Sequence, residues 1–196
     1  MHFQRRDALK ILGGSALAVL ANPVLAKAKP QKVLILGGTG FIGPHFVEAL
    51  VAGGHVVTLF NRGKRDPGAR QGIEQLLGDR DGQIDALKGH DWDVVIDNSA
   101  YTPKQVKLTA ELLKGHVRQY VFISSVAAYA DFKKAGIEET YELAKLDDPT
   151  AEEVNGKTYG GLKVLCERVV EDTYGKDATL IRPAMYVGRI RVASLP

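Results

Sequence analysis

Thiol chemistry is nearly absent from this chain: its one cysteine, Cys166, excludes an internal disulfide framework. Cys166 falls in a stretch with helical periodicity and reads there as a small buried apolar residue, not a nucleophile. Metal-ligand spacing is missing too, so no metal site is expected. The five histidines are scattered, and four of them follow glycine or proline, as turn residues do. No internal repeat or low-complexity tract interrupts the pattern. The apolar and small-residue stretch Ile11 to Ala21 is too short to be a stable bilayer anchor. It follows Gln4-Arg5-Arg6-Asp7-Ala8-Leu9-Lys10, which looks like a twin-arginine export motif, and small residues beyond it offer cleavage behind Ala26 or Ala28. Residues 1–26 are therefore expected to be a signal peptide, leaving a mature protein that is periplasmic or exported and free of the membrane. Their loss removes three cations and one anion (Arg5, Arg6, Lys10 and Asp7), taking the formal net charge from +3 to +1. A near-neutral domain gives no global argument for nucleic acid or an anionic membrane surface.

What is present is organised around Lys32 to Gly43, K-V-L-I-L-G-G-T-G-F-I-G. Val33 to Leu36 has no polar face, which suits a strand buried on both sides of a parallel sheet. Gly37, Gly40 and Gly43 follow at spacings of three, and Phe41, Ile42, Phe46, Val47, Leu50 and Val51 then recur with helical period. Strand, glycine turn and helix in that order make a dinucleotide-binding start. One glycine permits the tight turn, the next lets backbone approach a pyrophosphate, and the third lets helix pack on strand. The G-x-x-G-x-x-G spacing with T-G-F-I-G resembles the extended, epimerase/dehydratase-like branch of the short-chain dehydrogenase/reductase superfamily. The resemblance implies a Rossmann-like, doubly wound parallel α/β sheet over residues 30–188. It also implies that Gly37, Gly40, Phe41, Ile42 and Gly43 contact the cofactor.

His55 to Phe60 reads as the second strand, and Asn61-Arg62-Gly63-Lys64-Arg65 follows where an NAD-preferring site usually has a carboxylate. With no acid to repel a 2′-phosphate and Arg62 able to pair with it, NADP is the expected cofactor, NAD the possible one; a solvated basic loop is the competing account. Residues 66–72 are a turn-rich linker. Ile73 to Leu77 reads as the third strand, ending in Gly78-Asp79-Arg80-Asp81; the resemblance puts Asp79 and Arg80 at the cofactor, Asp79 on the adenine amine. An N-cap for a helix at 83–88 is the other account of Asp79. Asp93 to Asp97 reads as the fourth strand, leading into Asn98-Ser99-Ala100-Tyr101, whose Ser99 and Ala100 match a family turn beside the cofactor ribose. A helix through Lys114 opens at Pro103. Gln119 to Ser124 is the fifth strand, continued by Ser125, which the resemblance makes the catalytic hydroxyl.

Oxidoreductase chemistry of this kind needs a tyrosine and a lysine one helical turn apart, where the ammonium can stabilise the phenolate. Y-x-x-x-K occurs three times, at Tyr129/Lys133, Tyr141/Lys145 and Tyr159/Lys163. Only the last opens a helical stripe, with Leu162, Leu165, Val169 and Val170, that runs to Gly175 and on into a sixth strand at Ala178 to Ile181. Arg182-Pro183 then follows in the family's order, which adds Pro183 to the cofactor contacts and makes Tyr159 the base and Lys163 its partner. Tyr141 is followed by Asp147-Asp148-Pro149, which stops a helix. Residues 130–158 form an acidic insertion, either a lid or a solvated excursion with a short helix.

Thirteen residues remain after Pro183, so the substrate lobe is expected to be largely missing, with 189–196 as its truncated tail. The leading expectation is an NAD(P)-dependent epimerase/dehydratase-like oxidoreductase taking a sugar-like small molecule, and the resemblance makes a homodimer possible through 103–114 and 159–174. Two alternatives stay open: a truncated, non-catalytic dinucleotide binder, and an RNA-binding atypical relative with Arg62, Lys64, Arg65 and Arg70 on a phosphate patch.

Overall fold

The computed structural model describes residues 29–64, 72–148 and 150–184; the expected signal peptide, most of the 66–72 linker and the 189–196 tail lie outside them. The elements run β1 (Lys32–Leu36), α1 (Gly43–Ala52), β2 (Val56–Asn61), β3 (Glu74–Leu77), β4 (Trp92–Asp97), α2 (Pro103–Leu113), β5 (Val117–Ile123), α3 (Tyr159–Tyr174) and β6 (Ala178–Ile181). These strands pair parallel throughout, in the order β3-β2-β1-β4-β5-β6. This is the Rossmann-like doubly wound sheet expected from the alternation of apolar runs and helical stripes. The order reverses between β1 and β4, so the loops leaving their carboxyl ends diverge and a crevice opens there.

Residue alternation along β1 builds the two layers. Leu34 and Leu36 point into a core shared with Val106, Ala110, Cys166 and Val170, under α2 and α3. Val33 and Ile35 point the other way, onto Val47, Val57 and Leu59 beneath α1. All four are within 2% of complete burial, each contributing about 1.5–3 kcal/mol of apolar transfer. The helices form where the chain supplies both stripe and stops. Thr102 accepts a hydrogen bond from the Gln105 amide, and Pro103 pre-sets the first turn of α2. In α3, Leu162, Cys166, Val170 and Tyr174 recur every four residues on the buried face. Gly175, at φ 53°, closes it.

Two local expectations change. The helix at 83–88 is a single 3₁₀ turn, Asp85–Leu87. Gly82 at φ 126° and Gly89 at φ 77° leave it no room to grow, and Asp79 caps nothing there: its carboxylate accepts from the Asp81 amide at 3.1 Å. The insertion at 130–158 has no helix among its described residues. It is pinned instead, through Ala130 N–H to the Glu142 carbonyl at 2.8 Å and Ala144 N–H to the Ala128 carbonyl at 2.9 Å. No described helix is long and apolar enough to cross a membrane.

Candidate functional site

A cleft of about 570 Å³ lies at the carboxyl edge of the sheet, over the β1/β4 switch point. Its floor is the Gly37 to Ile42 loop, where the three signature glycines do three different jobs. Gly37 has φ 112°, and a Cβ on it would overlap the Asn98 side chain, so the turn after β4 presses directly on the turn after β1. A Cβ on Gly43 would overlap the Gly38 backbone, so this glycine lets α1 close against the loop. Gly40 is different: a Cβ there meets nothing within 4 Å. Packing among protein atoms does not require that glycine, and the space above it fits a backbone-bound pyrophosphate at a helix N-terminus.

At one end of the cleft stand Arg62, Lys64 and Asp79. The Arg62 guanidinium is 4.0 Å from the Asp79 carboxylate, both partly in solvent, a pairing too weak to hold either from a ligand. Next to them Arg80 turns inward. It is 7% exposed, and its guanidinium forks onto Asp97, with one arm at 2.7 Å, and reaches Thr109 Oγ1 at 2.8 Å. Burial opposes its charge, but the Asp97 carboxylate outweighs that and leaves its pKa above the ordinary value. Ser99 lines the cleft and its hydroxyl donates to the Leu36 carbonyl at 2.9 Å.

At the other end are Tyr159 and Lys163, both on the cleft wall and one turn apart on α3. Lys163 is 3% exposed; its ammonium donates to the Ile123 carbonyl at 2.8 Å and the Ala100 carbonyl at 3.0 Å, over the Phe122 ring. Two of its three protons are thus committed, and one remains for a ligand. Desolvation lowers its pKa. Gly160 lets this helix start close to the β5 loop, because a Cβ there would overlap the Ala127 carbonyl oxygen. The Tyr159 ring faces that of Tyr101, 6.4 Å away.

The other two tyrosine–lysine pairs are occupied elsewhere. Tyr141 donates to Asp131 at 2.8 Å, which raises its pKa, the wrong direction for a base, and Lys145 pairs with Glu142. Tyr129 lies under the Arg182 guanidinium, and Lys133 pairs with Asp131.

Of the expected site residues, Gly37, Gly40, Phe41, Ile42, Arg62, Asp79, Arg80, Ser99, Tyr159 and Lys163 line this one cleft. Gly43 and Ala100 lie just behind it, Ala100 through its carbonyl. Pro183 is set back: its carbonyl accepts from Val126 N–H at 3.0 Å and ties down the β5 loop. Ser125 is also set back, its hydroxyl accepting from the Ala127 amide at 3.1 Å. The neighbouring Ser124 lines the cleft instead, 5% exposed, with a hydroxyl that has no partner among the described residues. Alternation along extended backbone was the available signal, since consecutive serines face opposite ways. Tyr101, Asn98 and the Arg80–Asp97 pair were also missed. Among the described residues, no group of His, Cys, Asp and Glu could hold a metal ion.

A profile of the NAD dependent epimerase/dehydratase family matches residues 33–194. The chain is 34% identical over 122 residues to the chloroplast stem-loop binding protein of 41 kDa b of Arabidopsis thaliana, covering 54% of this chain and 32% of that protein. It is 28% identical over 167 residues to the UDP-glucose 4-epimerase of Azospirillum brasilense, covering 74% of this chain and 45% of that one. The NAD complex of UDP-glucose 4-epimerase from Brucella ovis shares the fold at a TM-score of 0.61 and 20% identity, over 77% of this chain and 51% of that one. The chain thus spans about half or less of the length of these relatives.

Proposed function

Because the chain belongs to the NAD dependent epimerase/dehydratase family, we propose that its cleft holds a nicotinamide dinucleotide and that Tyr159 moves a proton on a sugar-like substrate. One observation carries this reading: the phenol of Tyr159 and the ammonium of Lys163 line the same cleft as the Gly37–Ile42 loop, with open space over Gly40. The Gly40 backbone and the start of α1 would hold the pyrophosphate, Asp79 the adenine, and the spare proton of Lys163 the ribose nearest the phenol. A bound nicotinamide would supply a reversible store of hydride at its C4. Tyr159 takes the proton of the substrate hydroxyl as the C–H bond breaks, and returns it when the carbonyl is reduced. Lys163 stabilises the phenolate that stands ready before the first transfer and is restored after the second. Ser125, or Ser124 beside it, donates to the substrate oxygen.

Arg62 and Lys64, with no carboxylate at the end of β2, support NADP; the NAD-bound relative supports NAD. Export is part of the proposal. The twin-arginine route carries folded proteins, so the cofactor enters the periplasm already bound, and a redox-neutral reaction needs no pool to recycle it. That favours epimerisation or dehydration over net oxidation, on a free sugar or glycoside. Pairing of two chains through α2 and α3 is proposed with it.

The deciding experiment purifies the folded chain and identifies its bound nucleotide by mass spectrometry. NADP supports Arg62 as the selector, NAD removes that role, and a chain that binds neither sinks the reading. Tyr159→Phe should keep the nucleotide and lose turnover by about 10²–10⁴-fold, the usual worth of a general base. Subcellular fractionation tests export: Arg5→Lys/Arg6→Lys should leave the protein in the cytoplasm.

The identity to a stem-loop binding protein supports a second reading, in which Arg62 and Lys64 meet an RNA backbone. Filter retention of a hairpin RNA that falls steeply with salt, and survives Tyr159→Phe, would select it.

A further inference from the structure

Asp97 is among the buried charged side chains that the mechanism leaves unused. Asp97, fully buried at the end of β4, accepts from the Arg80 fork, from the Tyr120 hydroxyl at 2.7 Å and from the Ser99 amide at 3.3 Å. So many donors around one carboxylate is a costly arrangement. A buried ion pair is weak evidence for stability, and apolar replacements of similar volume often do as well or better. Its position offers another reason. Ser99 N–H bonds back to Asp97 within the turn that ends at Ala100, and the Ala100 carbonyl is one of the two acceptors of Lys163. The other, the Ile123 carbonyl, sits at the end of β5, the strand that carries Tyr120. Both oxygens that hold Lys163 therefore lie close along the chain to groups that bond Asp97, Ala100 one residue after Ser99 and Ile123 three after Tyr120.

We propose that Asp97, clamped by Arg80 and Tyr120, is a positioning residue for Lys163, fixing from beneath the cleft where the ammonium stands. The inference rests on the reading of Lys163 as the partner of Tyr159. The charges support the geometry. Among the described residues the Lys163 ammonium meets two neutral carbonyls and a ring, and burial works against its proton. Around it, Asp97 of β4 supports the charge and Arg80, from the loop after β3, opposes it less strongly. On its own helix Glu167 adds smaller support, already held by Arg182 at 2.7 Å, and Cys166 does so only once its thiol ionises. Tyr120 of β5 keeps its proton, burial holding its pKa well above the ordinary value.

The test titrates the lysine side-chain signals of the full chain by ¹³Cε and ¹⁵Nζ NMR, with Lys163→Met to assign the resonance. In Asp97→Asn, Lys163 should lose its proton at a pH lower by about one unit or more, a roughly tenfold fall in proton affinity. Arg80 is left unpaired in that variant and pushes the same way. The triple variant Arg80→Met/Asp97→Leu/Tyr120→Phe therefore removes every charge together and keeps the core apolar. There too Lys163 should titrate lower than in wild type, and NADP or NAD should bind severalfold more weakly, with unfolding temperature little changed. If Lys163 in the triple variant titrates and the dinucleotide binds as in wild type, the cluster is packing only and the proposal fails. The titration needs no nucleotide. A wild-type chain that bound neither dinucleotide would overturn the proposed function while leaving the Asp97–Lys163 result to be judged alone.

Discussion

Cys166 and Lys163 stand three residues apart on the buried face of α3, and burial acts on them in opposite directions. It lowers the pKa of the ammonium and pushes that of the thiol up to about 12, from an ordinary value of 9.0. The thiol therefore stays protonated in the folded chain at any physiological pH, and the thiolate is the reactive form. An aromatic disulfide reagent at about pH 8 should leave Cys166 untouched in the native protein and react once the chain is unfolded in urea. The linkage has a definite sign. Below about pH 9 both states hold the proton and Cys166 takes nothing from stability. As pH rises from there toward 12 the unfolded thiol ionises while the buried one does not, so stability is lost. Cys166→Ala should lose less stability than wild type over that window in chemical denaturation. An equal slope in both would show that Cys166 is open to water. That the thiol is buried was legible in the sequence, because apolar residues flank it at helical spacing. The inward turn of Arg80 was not. Gly78-Asp79-Arg80-Asp81 reads as a charged loop, and only the tertiary fold brings Asp97 and Thr109 to within hydrogen-bond reach of its guanidinium and the Tyr120 hydroxyl onto Asp97.

Elements were easier to read than residues, for a physical reason. Strands buried on both faces announce themselves as unbroken apolar runs, and α3 by its stripe and terminal glycine. Tyr159/Lys163 could be separated from the two rival pairs on that basis, since only they sit on a helix with a core-facing side. The stretches that resisted have no such periodicity. Residues 83–88 lie between glycines, and 130–158 is held by backbone pairs and polar side chains that no pattern encodes. Gly160 shows how finely the late helix is placed. An added methyl would strike the Ala127 carbonyl oxygen and come within 3.4 Å of Ala144 Cβ, so either the helix start or the β5 loop must move. Gly160→Ala should cost about 1–3 kcal/mol by urea denaturation, the range for overpacking, and displace Tyr159 enough to cut turnover. Gly156→Ala is the control, because a Cβ there meets nothing within 4 Å and Gly156 belongs to no helix. Equal stability of the two variants would mean that α3 and the loop are not in contact in solution.

The cleft exists only in the assembled sheet. Its walls come from the loops after β1, β2, β3, β4 and β5 together with the start of α3, so no segment of the unfolded chain carries a comparable site. A dinucleotide that binds there stabilises the native state alone. At a hundred times its dissociation constant the gain is about 2.7 kcal/mol. For a domain of this size, that raises the unfolding temperature by roughly 5–10 °C. The glycine with open space above it separates folding from binding. Gly40 has no positive φ and no neighbour within 4 Å of a Cβ, so Gly40→Ala should fold as well as wild type or better, by about 0.4–1 kcal/mol, through the lower entropy of its unfolded chain. Under the proposed reading the same methyl would stand where the pyrophosphate meets bare backbone. Thermal scans with and without NADP or NAD should therefore show a variant whose ligand-free midpoint is unchanged or raised and whose ligand-induced rise is lost. Gly43→Ala should differ, losing stability first, because its methyl would be driven into the backbone of Gly38. A Gly40→Ala protein that kept the full ligand-induced rise would place the nucleotide somewhere other than over the first turn of the sheet.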